Sequence, residues 1–283
     1  MTAVIGTRGW VAATGAVLLA LAPAGCGQGS GASPNPISAG STGPTSAARV
    51  TVRVAAASDL KFALEEIKTE LATSRPDVDL VTTYGSSGTF FQQLSNGAPF
   101  DLFLSADLSY PRKLTEAGLA GKEDVFTYAV GRLVVWAATG SPVDPTRGMA
   151  SLADPQARKV AIANPEHAPY GVAAVAAMET AGVYDLAKGK LVLGENVAQA
   201  AEFALSGNAQ VGVIALSLAV SPQFKDKGRY AEVPLDTYPR IDQGGVVMAR
   251  AADPAAARAV KAVLLSAQGL AVLKSYGFFL PGT

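Results

Sequence analysis

The chain has 283 residues, 49% of them apolar and 16% charged, enough to build one large core or two smaller ones. Lys+Arg and Asp+Glu balance at 23 each, so there is no basic field to hold nucleic acid or an anionic membrane. One Cys and one His leave no internal disulfide and no His/Cys metal centre.

Residues 1–26 stand apart: Arg8 is their only charge, Trp10 to Ala22 is an apolar run, and Pro23-Ala24-Gly25 leads to Cys26. This reads as a lipoprotein-type signal peptide, too short and interrupted for a comfortable spanning helix. The small residues before Cys26 look like a bacterial lipobox, with Pro23 departing from the usual leucine. Cys26 is then the lipid anchor of an exported protein at the outer face of the cytoplasmic membrane or in the periplasm; a plain cleaved signal is the alternative. Residues 27–48 are rich in Gly, Ser, Pro, Thr and Ala, as in a flexible linker.

From Val50 the chain alternates strand and helix. Val50 to Ala56 is β-branched and apolar, which predicts a strand buried on both faces. Leu60, Ala63, Leu64, Ile67 and Leu71 recur at helical spacing after Ser58 and Asp59. Val78 to Thr83 is a second strand, followed by Tyr84-Gly85-Ser86-Ser87-Gly88-Thr89 and a short helix through Leu94. Phe100 to Leu104 is a third strand and Ser109 to Ala117 a third helix. Arg132 to Ala138 is extended, and a second unit follows: strands at Val160 to Ala163, Lys190 to Leu193 and Gln210 to Ala215, helices at Val172 to Ala181 and Asn196 to Ser206. Residues 236–249 run extended, and Pro254 to Ala267 is the last helix.

This alternation implies an α/β fold with parallel-rich sheets flanked by helices, ligands binding at the carboxyl ends of the strands. Extended stretches near 132–138 and 240–248 suit crossings between two lobes, residues 50–132 plus 240–283 and residues 133–239, with a ligand between them.

Four junctions share one chemistry: Ala57-Ser58-Asp59, Ser86-Ser87-Gly88, Pro169-Tyr170-Gly171 and Glu195-Asn196-Val197, each at the expected start of a helix. Unpaired N–H groups and the helix dipole favour an anion there, and converging junctions need no Lys or Arg. Each junction alone is equally an ordinary N-cap.

The runs Ala55-Ala56-Ala57-Ser58, Tyr84 to Gly88, Gly97 to Asp107, Asn164 to Gly171 and Tyr276-Gly277-Phe278 resemble the molybdate-binding proteins of bacterial ABC importers, in order, from about residue 50 to the end. The resemblance implies a two-lobed periplasmic-binding fold of type II that closes on a tetrahedral oxyanion, molybdate or tungstate, in the cleft between its lobes. It implies a membrane permease with its cytoplasmic ATPase as partner, a monomer, no cofactor, no catalysis, and no protein atom on the metal. Carried over by residue, Ser58 and Ser87 are hydroxyl donors of the first lobe, and Tyr170 and Val197 backbone donors of the second. Asp59 lies where some members make a polar contact; its N–H is expected to contribute while its carboxylate turns away as a cap. Ser86 is assigned to turn and cap. One branch of the family has a binding tyrosine where this chain has Ala215, and the Tyr170 phenol is the expected substitute.

Two alternatives stay open. The same fold could bind sulfate, or less readily phosphate or a small organic anion. A serine hydrolase would need Ser86 or Ser87 with His167, but Thr89 stands where Gly-x-Ser-x-Gly has its second glycine. His167 reads more simply as a hydrogen-bonded loop residue.

Overall fold

The computed structural model describes residues 49–282. The signal peptide, the linker and Cys26 lie outside the described residues.

In the first lobe, β1 (Val50–Ala57) leads through a short 3-10 turn at Ser58–Leu60 into α1 (Lys61–Ser74). β2 (Val78–Gly85), α2 (Ser87–Ser95), β3 (Leu102–Ser105), α3 (Ser109–Glu116) and β4 (Ala120–Gly131) follow. The chain passes Arg132 and enters the second lobe as β5 (Leu133–Ala138). There β6 (Val160–Ala163), α4 (Pro169–Thr180), α5 (Tyr184–Ala187), β7 (Leu191–Gly194), α6 (Val197–Leu205), β8 (Val211–Ala215), α7 (Leu216–Ala219) and β9 (Gly228–Glu232) complete a second sheet. β10 (Ile241–Met248) returns to the first sheet, and α8 (Pro254–Leu264) and α9 (Ala267–Ser275) pack on it.

Among the described residues each sheet has five strands, ordered β2-β1-β3-β10-β4 and β7-β6-β8-β5-β9. Strands joined by a helix crossover pair in parallel: β1 with β2 and β3, β6 with β7 and β8. Every antiparallel pair in the sheets contains β4, β5, β9 or β10, the strands on either side of the two passages between lobes. The sheets are therefore mixed, with a parallel half and an antiparallel half each.

The hydrophobic pattern accounts for the packing. Leu64, Ile67 and Leu71 of α1 lie on one face and are buried against the first sheet. In the second lobe Trp136 of β5 meets Phe224 edge-on, ring centroids 5.6 Å apart. β1 is buried on both faces only in its second half; Thr51 and Arg53 are exposed, because the strand begins at the sheet's rim.

Two local expectations change. α4 begins at Pro169, three residues before the apolar run suggests, because Pro is preorganised for the first helical position. A Cβ at Gly171 would collide with the Ala163 carbonyl, so α4 sits tightly on β6. The last helical stretch is two helices, the second capped by Ser266, whose Oγ accepts from the Gly269 amide at 3.1 Å.

Candidate functional site

Both parallel halves end in the space between the lobes. β1 delivers Ser58 and Asp59, β2 delivers Ser86 and Ser87, β6 leads to Tyr170, and β7 leads to Asn196 and Val197. Ser58, Asp59, Ser87, Tyr170 and Val197 are all buried and line one small cavity with about 190 Å³ of atom-free space. Among the described residues, no Lys or Arg lines it.

Both hydroxyls accept from backbone amides, Ser87 within its own lobe and Ser58 from the other lobe. Ser87 Oγ accepts from the Ala106 amide at 2.9 Å, and Ser58 Oγ accepts from the Ala198 amide at 3.2 Å. A hydroxyl that accepts in this way keeps its hydrogen for another acceptor. Ser87 and Val197 occupy the first position of α2 and α6, and Tyr170 the second of α4, where amides have no partner within the helix. Asn196 is a true cap, its Oδ1 accepting from the Ala198 and Gln199 amides at 3.0 and 3.1 Å. The cavity is thus a shell of neutral donors at three helix starts.

Asp59 departs from its expected place. Its carboxylate caps no helix but is buried at 1% exposure, and its Oδ2 accepts from the Tyr170 hydroxyl at 2.9 Å and from Gln243 Nε2 at 2.5 Å. Burial pushes the carboxyl up to about 6; the Gln243 and Tyr170 hydrogen bonds and the amides of Asp59 and Leu60 oppose this without cancelling it. The Asp59 backbone carbonyl accepts from Ser217 Oγ of the other lobe at 2.8 Å. The Tyr170 phenol, expected to face the anion, gives its hydrogen to Asp59. Burial, then the adjacent carboxylate, holds that phenol well above its ordinary pKa, so it remains a donor.

Ser86 also differs. It occupies the N-cap position of α2, but its side chain makes no capping bond. It donates instead to the His167 carbonyl, which also accepts from the Gly88 amide at 2.9 Å. The close approach requires glycine at 88, where a Cβ would stand 2.5 Å from the same carbonyl oxygen. His167 Nδ1 is 3.1 Å from Ser86 Oγ, and Nε2 is 3.7 Å from Glu195 Oε2. The hydrolase alternative finds its serine and histidine together, yet the serine hydrogen points at a carbonyl, and the contacts form a latch between lobes.

Gln243, Ser217 and Ala106 escaped the sequence reading. Gln243 lies in the predicted extended stretch, between Asp242 and the Gly244-Gly245 pair, with nothing local to mark it as buried; the backbone amide of Ala106 carried no sign either. A wider, open groove adjoins the small cavity, sharing Ala106, Ala168 and Pro169 with it. It presents Arg112 and His167, and Arg240, which is paired with Asp242 at 2.7 Å. Its mixed charges and open form give a small anion no enclosing set of donors.

The model of the family described as bacterial extracellular solute-binding proteins matches residues 52–279. Among curated relatives, the molybdate-binding protein ModA of Rhodobacter capsulatus is 41% identical over 208 residues, covering 74% of this chain and 80% of that protein. The molybdate-binding protein ModA of Azotobacter vinelandii is 36% identical over 229 residues, covering 81% and 90%. The solved Azotobacter vinelandii periplasmic molybdate-binding protein superposes with a TM-score of 0.76 at 33% identity, covering 81% of this chain and 99% of that one. The sulfate-binding protein SubI of Mycobacterium tuberculosis shares the fold at 16% identity and a TM-score of 0.65, so the fold alone does not select the anion. With its two mixed sheets and its donor-lined cavity between them, the chain belongs to the bacterial extracellular solute-binding protein family.

Proposed function

We propose that this chain is the extracytoplasmic substrate-binding protein of an ABC importer, capturing molybdate between its lobes and delivering it to a membrane permease with its cytoplasmic ATPase. One observation carries the reading: the Ser58 and Ser87 hydroxyls and the first turns of α2, α4 and α6 face a single cavity without Lys or Arg. Neutral donors of this kind suit a fully deprotonated tetrahedral dianion, which needs donors on all its oxygens and offers none itself. The names of the relatives supply the anion. Tungstate, of the same shape and charge, belongs to the same proposal. The metal enters inside its oxyanion, held through oxygen by Ser58, Ser87 and the amides of Asp59, Tyr170 and Val197, so no cofactor and no reaction are invoked.

Binding across the cleft stabilises the closed arrangement because the donors come from both lobes, and the permease would recognise the closed outline. The body works as a monomer, and Cys26 would tether it to the membrane through lipid. A competition titration of molybdate, tungstate, sulfate and phosphate against the purified protein tests the ligand. Molybdate and tungstate are expected to bind tightest; tighter sulfate binding would overturn the assignment and leave the fold untouched.

A further inference from the structure

The buried cluster of Asp59, Gln243 and Tyr170 is short of one hydrogen. Its side chains bring three: one on the Tyr170 hydroxyl and two on the Gln243 amide nitrogen. The Tyr170 hydrogen goes to Asp59 Oδ2, and Gln243 Nε2 reaches Asp59 Oδ2 at 2.5 Å and the Tyr170 oxygen at 3.1 Å. Two buried acceptors are left without a hydrogen-bond partner, Asp59 Oδ1 and Gln243 Oε1, each beside an atom already bonded to the other residue. A proton on Oδ1 would give the cluster one more donor.

The surroundings favour that proton. Asp59 lines the anion cavity, where an ionised carboxylate would repel a dianion at close range. The groups that face it are the backbone amides of Asp59 and Leu60, the Tyr170 phenol from α4, the neutral Gln243 amide from β10 and, further off, the Tyr128 phenol from β4, whose hydroxyl donates to the Ser105 carbonyl at 2.9 Å. From α7 only the Ser217 hydroxyl approaches, and it bonds the backbone carbonyl. Among the described residues no Lys, Arg or His bonds to the carboxylate. Nothing neutralises it except a proton, and burial has already moved its titration close to neutrality.

We infer that Asp59 takes up a proton when the oxyanion binds, so that capture is proton-linked, and that the neutral acid is the form that stands beside the bound anion. This rests on the oxyanion reading of the cavity and extends it: Asp59 sets the pH at which the site accepts a dianion. It also acts on specificity, because a neutral acid admits a fully deprotonated anion, whereas an ionised carboxylate would accept a hydrogen from a protonated one.

The test is calorimetry of molybdate binding to the purified protein between about pH 6 and pH 8, in buffers of different ionisation enthalpy. The wild type is expected to take up close to one proton near pH 7.5, with affinity falling by nearly tenfold per pH unit across the upper part of the range. Asp59→Asn is expected to bind with no proton uptake and a flat pH profile. Binding by the wild type with no proton uptake would overturn the inference alone, and needs no variant to be read. The same slope in Asp59→Asn would also overturn it, as would phosphate binding by the wild type that the variant loses, the signature of an ionised acceptor. An absence of heat at every pH, in both proteins, would overturn the molybdate assignment and this inference together.

Discussion

The Tyr170 hydroxyl donates to Asp59 Oδ2 at 2.9 Å, joining the first turn of α4 in one lobe to the end of β1 in the other. The bond ties a residue expected to face the ligand to one expected to turn away. Removing the phenol oxygen withdraws a donor that stabilises the ionised carboxylate, so burial acts with less opposition and the Asp59 pKa rises further. Tyr170→Phe is therefore expected to move the pH profile of molybdate binding upward, and to leave affinity at about pH 6 within roughly tenfold of wild type. A titration series across pH would show both. A hundredfold loss at every pH would mean that the phenol itself donates to the anion.

Asp59 also sets a sign for stability. Its carboxyl is raised from 3.8 to about 6 in the fold, so the folded protein holds this proton more tightly than the unfolded chain. Between those values the folded state binds more protons, and stability from this group falls as pH rises through the window, by about 3 kcal/mol in all. Asp59→Asn removes the term. Urea unfolding without ligand at about pH 4.5 and pH 7.5 is expected to show the variant gaining on the wild type at the higher pH. Parallel pH dependence in the two proteins would show that Asp59 is not desolvated in solution.

Ser87 combines two roles that mutation separates. Its Oγ accepts from the buried Ala106 amide, and its hydrogen is free for the ligand. Ser87→Ala should cost about 1.5 to 3 kcal/mol in binding, roughly tenfold to a hundredfold in affinity. It should also cost about 1 to 3 kcal/mol in stability, because the Ala106 N–H loses its partner. Ser86→Ala loses the bond to the His167 carbonyl and the contact with His167 Nδ1, both outside the proposed donor set, and is expected to reduce affinity less. Calorimetry on both variants checks the ranking, and equal losses would contradict it.

The chain's order of strands and helices was legible because buried strands and amphipathic helices carry distinct periods, as β1, α1 and β8 do. β4 escaped because its first half carries exposed Lys122 and Glu123, and β9 because it is a polar edge strand whose pairing with β5 is a tertiary fact. Ser58, Ser87, Tyr170 and Val197 were legible as helix starts after strands. The orientation of the Asp59 carboxylate was not, because it depends on Gln243, 184 residues away, and on Tyr170 in the opposite lobe. Local cap chemistry predicted that the Asp59 carboxylate and the Ser86 hydroxyl would both serve as helix caps, and contacts between lobes redirected both.

Closure itself can be tested at Gly88. Its amide and the Ser86 hydroxyl both donate to the His167 carbonyl, and an added Cβ would meet that oxygen at 2.5 Å and the His167 Cα at 3.0 Å. Both atoms are backbone and cannot swing aside, so Gly88→Ala must hold the lobes apart or displace residues 165–168. In the first turn of α2 the same change favours the helix, by less than the ~1 kcal/mol of a helix interior. The variant is therefore expected to keep or gain thermal stability without ligand while losing at least roughly tenfold in molybdate affinity. It should also fail to contract in small-angle scattering when molybdate is added. A variant that contracts and binds like the wild type would show that this contact is not part of the closed state.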